Sequence, residues 1–260
     1  MTAFPFHKSA FTLALLLVVG AAAGCGNKRQ DAVEPPLWQT EEGKQETRIG
    51  IARKMLAMGY ADEAMTLLKL ARDDGADGSE VDLLTGHALY LQGQYNEARI
   101  LLEEVSETRK KDPYVWRTLG LVYADNEMPD QAIAAFQTAI ELDDRDAATW
   151  NNLGFLLYTV KRSPDAVPAL RKAVSLDGTV ARYRRNLGFA LFNEGDVDGA
   201  IDAFRAVGPP GDAWYNLGLA HELAGDPNSA RERYARALQH DPEHNKAREA
   251  LARLESQEAP

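Results

Sequence analysis

Small residues recur along this chain at a fixed interval. Ala64, Ala98, Ala132, Ala166, Ala200 and Ala230 are separated by 34, 34, 34, 34 and 30 positions. Ala71, Val105, Ala139, Ala173, Val207 and Ala237 repeat those intervals, and so do Ala52, Gly86, Gly120, Gly154, Gly188 and Gly218. Three series in one register establish a real period, and a period of this length marks a stacked repeat. Small residues let helices approach closely, while large neighbours fill the space beside them. Gly59, Gly93, Gly195 and Gly225 fall at four predicted turns between paired helices, as residues with positive φ would.

The residues around those positions resemble the tetratricopeptide repeat (TPR), whose pattern is W-x2-L-G-x2-Y…A-x3-F. The fullest copy is Trp116, Leu119, Gly120, Tyr123, Ala132, Phe136 and Ala139. Another is Trp150, Leu153, Gly154, Ala166, Leu170 and Ala173, and the last is Trp214, Leu217, Gly218, Ala230, Tyr234, Ala237 and Pro242. The resemblance implies an all-α TPR solenoid, a right-handed superhelix of helix-turn-helix repeats. Its units are 45–78, 79–112, 113–146, 147–180, 181–210 and 211–244. The first copy is atypical, with Arg48, Ile51 and Ala52 in place of Trp and Leu-Gly. The fifth is four residues short, and Gly208-Pro209-Pro210-Gly211 should end its second helix early and change the local superhelical pitch. Residues 245–260 are apolar at Ala247, Ala250, Leu251 and Leu254, one face, as a C-terminal capping helix requires.

Ahead of the repeats, Lys8 precedes an apolar run from Ala10 to Ala23. Fourteen residues are too few to span a bilayer as a helix, but they suit a signal peptide. The run ends in Ala22-Ala23-Gly24-Cys25, which resembles a bacterial lipobox and implies acylation of Cys25 after removal of residues 1–24. The alternative is an ordinary signal peptide that leaves Cys25 as a free thiol. Acyl chains contribute about 0.8 kcal/mol per buried methylene, enough for stable anchoring when two or more are present. Gly26 stands where an inner-membrane retention signal has Asp, so the resemblance implies the periplasmic face of a Gram-negative outer membrane. The stretch 25–44, with Pro35-Pro36, reads as a flexible tether reaching about 24 Å.

Composition narrows the function classes. Hydrophobic residues make up 45% of the 260 and charged residues 26%, a globular balance. Lys+Arg number 29 against 39 for Asp+Glu, and a net charge of -10 argues against nucleic acid as a partner, which needs clustered cations. One cysteine allows neither an internal disulfide nor a thiolate metal cluster.

Motifs of catalysis are missing. There is no GxSxG, Walker A, GxGxxG or CxxC, and His221-Glu222 lacks the second histidine of HExxH because Gly225 stands there. His240 and His244 have the spacing of a helical metal pair, but Pro242 between them marks a turn, so they read as solvated turn residues. His221 replaces a motif Tyr and reads as a packed histidine; His87 reads as lying on the inner face of its helix. Arg109-Lys110-Lys111 ends a second helix, where cations complement the dipole. The chain is read as non-enzymatic, with no cofactor and no metal.

Binding should occur along the concave face formed by the first helix of each pair. The stripe predicted to line it is Tyr114, Arg117, Leu121; Asn151, Phe155, Tyr158; Arg182, Arg185, Phe189, Phe192; and Tyr215, Leu219. Asn152, Asn186 and Asn216 recur beside it, with amides suited to an extended backbone. Aromatic and Arg residues are what binding hot spots use. The competing reading is that a tight superhelix buries these aromatics against its own neighbours.

A lipobox, a short tether and six TPRs together resemble two kinds of pilus-assembly lipoprotein. Asn151-Asn152-Leu153-Gly154-Phe155-Leu156 looks like the fourth repeat of the type IV pilus pilotin. Arg185-Asn186-Leu187-Gly188-Phe189-Ala190-Leu191, with its shortened repeat, looks more like the tight-adherence pilus lipoprotein. The implied partner is an envelope protein, a secretin or pilus-assembly subunit. The alternative is a general envelope adaptor recruiting peptidoglycan hydrolases or proteases.

Overall fold

The computed structural model describes residues 41–256. They form thirteen α-helices and no strand. The apolar segment, Cys25 and the tether up to residue 40 lie outside the described residues. Among those described, no helix is long and apolar enough to cross a membrane.

The helices come in six pairs: α1(Glu41–Ala57) with α2(Ala61–Asp73), α3(Gly78–Leu91) with α4(Tyr95–Thr108), and α5(Pro113–Asp125) with α6(Pro129–Leu142). Then follow α7(Ala147–Thr159) with α8(Ser163–Leu176), α9(Ala181–Asn193) with α10(Val197–Arg205), and α11(Pro210–Leu223) with α12(Pro227–His240). A single helix, α13(Asn245–Ser256), closes the series. α1 starts at Glu41, so the last residues read as tether are helical, and within it Thr47 Oγ1 donates to the Gly43 carbonyl at 2.7 Å.

Local sequence sets the helix ends. Asp77, Asp112 and Asp146 cap α3, α5 and α7 by accepting the backbone N–H of Ser79, Tyr114 and Ala148. Within each pair the turn closes with a bond back to the end of the first helix, such as Gln94 N–H to Leu89 O at 2.9 Å and Arg162 N–H to Leu157 O at 2.8 Å. Gly59, Gly93, Gly195 and Gly225 take positive φ there, as expected. The third and fourth repeats place Glu127 (φ 59) and Lys161 (φ 61) in the same slot.

Each second helix contributes one large buried side chain in register: Leu68, Leu102, Phe136, Leu170, Phe204 and Tyr234. Opposite the last five lie Gly86, Gly120, Gly154, Gly188 and Gly218, where a β-carbon would come within 2.4–2.6 Å of that side chain. The repeating glycine is therefore a packing requirement of the pair. In the first repeat the slot holds Ala52, which belongs to one apolar cluster with Leu68.

α10 runs only from Val197 to Arg205, so the fifth repeat's second helix does end early, ahead of Pro209-Pro210. At the C-terminal end, α13 buries Ala247, Ala250 and Leu254, the last two clustering with Ala230 and Tyr234 of α12 and with Leu251 packed alongside. It is a capping helix. The architecture is an all-α TPR solenoid.

Candidate binding groove

The first helices α1, α3, α5, α7, α9 and α11 each touch the next first helix, so together they line one surface. Along the middle of this surface the aromatic stripe is continuous. Phe155 stacks with Tyr158 at 6.3 Å between ring centroids, and Tyr158 lies 6.4 Å from Phe189. Phe189 in turn meets buried Phe204 edge-on at 5.2 Å, which roots the stripe in the core. Phe192 packs edge-on against His221 at 4.8 Å. Phe155 is the open member, 47% exposed, while Tyr158, Phe189 and Phe192 are half-buried. Both readings of the stripe are thus realised in part: three rings lean on their neighbours and one faces out.

Beside Phe155 is a cleft of about 380 Å³, walled by Leu121, Asn152, Phe155 and Thr159 together with Tyr90 and Asp125. Tyr90 was missed by the stripe, although it stands 68 positions, two periods, before Tyr158. Burial raises the Tyr90 hydroxyl above its ordinary range, and the Asp125 carboxylate that it meets adds to the effect. It therefore acts as a hydrogen-bond donor at this wall.

Two cations border the aromatic stripe on α9. Arg182 and Arg185 are exposed, and neither has an ion-pair partner among the described residues; the Arg182 guanidinium rests 5.7 Å from the Tyr183 ring centre.

The asparagines behave differently from the expected row of free amides. Asn151 is 2% exposed, and its Oδ1 accepts from Asn186 Nδ2 at 2.9 Å, tying α7 to α9. The Asn151 amide also reaches Asn152 Oδ1 at 3.4 Å, and Asn216 is buried as well. Asn151 lies deep between adjacent first helices, where a polar atom needs a partner, and Asn186 of the neighbouring column supplies it. Only Asn152 and Asn186 keep a half-exposed face.

At the α3–α5 junction the predicted residues form a closed network. Tyr114 is half-buried, its hydroxyl bonded to His87 Nδ1 and its ring covered by the Arg117 guanidinium at 4.7 Å. Arg117 Nη1 donates to Asp146 Oδ2 at 2.9 Å, and Thr149 Oγ1 donates to the same oxygen at 2.6 Å. Burial pushes the Asp146 carboxyl up, but the Thr149 hydrogen bond and the Arg117 charge outweigh it and hold the group below its usual range. Burial, aided by Arg117, lowers His87 to about 4, so the ring is neutral at ordinary pH. Tyr114 and Arg117 brace one repeat on the next.

Near the C-terminal end Tyr215 is wedged between Tyr234 and His244, at 5.7 and 5.1 Å, and Leu219 is half-buried. His221 is packed, as expected, with Nδ1 3.5 Å from Asp226. His244 is not a solvated turn residue. It is buried, accepts the Ala247 N–H on Nδ1 at 3.1 Å and bonds Asp212 through Nε2 at 3.0 Å. His240 lies apart from it, stacked on Trp214. No group of three or more metal-ligating side chains occurs among the described residues.

Paired helices stacked in register, with a continuous surface of first helices, define a helical-repeat scaffold. Models of the tetratricopeptide-repeat family match residues 86–111, 117–179, 156–213 and 211–244, and the chain belongs to that family. Several solved structures share its fold. YrrB, a TPR protein with an unusual peptide-binding site, is 24% identical over 70% of this chain and 96% of its own, with a TM-score of 0.56. MamA from Desulfovibrio magneticus RS-1 is 23% identical, covering 63% of this chain and 93% of its own, with a TM-score of 0.52. The Thermus thermophilus TPR protein TTC0263 is 16% identical over 81% of this chain and 98% of its own, also at 0.52. No curated protein sequence matches the chain.

Proposed function

We propose that this chain is a non-enzymatic, membrane-anchored TPR scaffold that holds a peptide or helix of another envelope protein against its first-helix surface. The observation that carries the reading is the conjunction at its centre. An exposed Phe155 stands at the wall of a cleft, and Arg182 and Arg185, without ion-pair partners among the described residues, border the same stripe on an otherwise acidic chain. Aromatic and Arg side chains of this kind are the usual anchors of protein interfaces. The anchoring half rests on the apolar run and Cys25, which argue for export and acylation, with the periplasmic face of an outer membrane as the site of action. The pilotin-like and tight-adherence-like strings point to a secretin or pilus-assembly subunit as the partner.

The test is affinity capture of the tagged full chain from its native host, with the bound proteins identified by mass spectrometry. A secretin or pilus subunit is expected. Replacing Phe155, Arg185 and Phe189 together by Ala should abolish capture while helicity stays constant. Undiminished capture by that variant would overturn the groove, and murein hydrolases or proteases without a secretin would replace the assembly role with that of an adaptor.

A further inference from the structure

The fifth repeat lacks the motif's tryptophan, as the first and second do with Arg48 and Asp82, and a hollow lies beside its replacement. Trp116, Trp150 and Trp214 begin the motif of the third, fourth and sixth repeats, and the corresponding residue of the fifth is Arg184. Trp116 Nε1 donates to the carbonyl six residues back, Lys110, at 2.9 Å, and Trp150 Nε1 donates likewise to Asp144 at 2.9 Å. Arg184 Nε donates to Gly178, again six residues back and at 2.9 Å. The arginine thus reproduces the indole's hydrogen bond without the bulk of a bicyclic ring.

Next to it, among α8, α9 and α10, lies a cleft of about 460 Å³. Its floor is apolar, made by Val174, Leu187, Leu191 and Ala203, and Arg171 and Arg184 line it as well. None of these residues belongs to the stripe on the first-helix surface. Arg171 is exposed and has no ion-pair partner among the described residues, and the recorded bond of Arg184 goes to a neutral carbonyl. Asp202, the acid of the lining, is exposed and stands 4.0 Å from Arg205. An apolar hollow of this size with a few polar groups converging on it is the usual form of a ligand site.

We propose that this cleft takes a tryptophan side chain, flanked by a carboxylate, from a segment of a partner protein. The indole takes the role that Trp116, Trp150 and Trp214 hold at the same motif position of three other repeats, and the carboxylate meets Arg171 and Arg184 in charge-assisted hydrogen bonds. The site is independent of the first-helix groove and stands or falls separately from it.

The probe is a blocked peptide with one tryptophan between two glutamates, titrated into the full chain with the methyl groups of Val174, Leu187 and Leu191 followed by NMR. Saturable shifts at those methyls are expected. Binding should weaken at least tenfold with glutamine flanks and in Arg171→Glu, an exposed substitution that leaves the fold intact. It should vanish in Arg184→Trp, whose own indole closes the cleft, and persist when Phe155, Arg185 and Phe189 are all Ala. Absence of saturable shifts, or equal binding by Arg171→Glu or by an Arg184→Trp variant of native helicity, would overturn the proposal.

Discussion

Gly120 and Phe136 stand so close that a β-carbon on the glycine would lie 2.5 Å from the buried ring. Alanine is the better helix former by about 1 kcal/mol, yet overpacking a filled core costs about 1–3 kcal/mol. The clash should win. Gly120→Ala is expected to lower stability by about 1–2 kcal/mol, read as a fall in the urea midpoint with unchanged slope. The neighbouring Gly154 meets Leu170 at its Cγ (2.6 Å) and its backbone nitrogen (3.1 Å), so Gly154→Ala should cost a similar amount.

Glu127 and Lys161 hold left-handed conformations in the slot where four other repeats have glycine. A side chain there costs about 1–2 kcal/mol, partly offset by the entropy glycine loses on folding. Lys161→Gly should therefore raise stability by about 0.5–1 kcal/mol, and Glu127→Gly by a similar amount. Thermal unfolding of the two single variants and the double variant checks both the sign and the additivity expected of turns in different repeats.

His87 gives the α3–α5 junction a pH dependence. Its folded value, about 4, lies below the ordinary 6.5 because of burial and then the Arg117 charge. The unfolded chain therefore takes up a proton first as pH falls. The stabilising contribution is complete above about pH 6.5 and is lost progressively towards pH 4, to a total of roughly 3 kcal/mol. Melting temperatures at pH 7.5 and pH 5 should differ less in His87→Gln than in the parent, and equal slopes would show that the ring is not the source.

His244 links α11 to α13 with one ring. Removing it in His244→Ala deletes the cap on the Ala247 N–H and the bond to Asp212 of α11. A loss of about 1–2 kcal/mol is expected, concentrated in α13. Hydrogen exchange of Ala250 and Leu254 amides should speed up, while amides of α5 and α7 keep their parent rates.

The fold was legible because its determinants are local and periodic. The spacing of Gly120, Gly154 and Gly188 against Phe136, Leu170 and Phe204 encodes helix contacts directly, and the proline-rich turn announced the short α10. The candidate site was legible in direction only. A stripe says which side of a helix a residue occupies, not how deep the next helix sits. Asn151 shares a column with Arg117 and Arg185, yet its short side chain stays in the seam and pairs with Asn186. His244 was misread because a capping bond and a contact 32 positions away leave no local trace. Arg184 could have been found by asking which repeats lack the motif's tryptophan, a question that periodicity alone makes possible.

Every substantial contact between helices joins elements one or two places apart along the chain. Nothing among the described residues clasps the first repeat to the last. Pulled by its two ends, such a molecule does not fail as a block; it gives way pair by pair, each step lengthening the strand while the remaining pairs keep their packing. A protein held at one end and loaded at the other would then behave as a series of small shock absorbers, and its weakest link is the pair whose second helix is shortest.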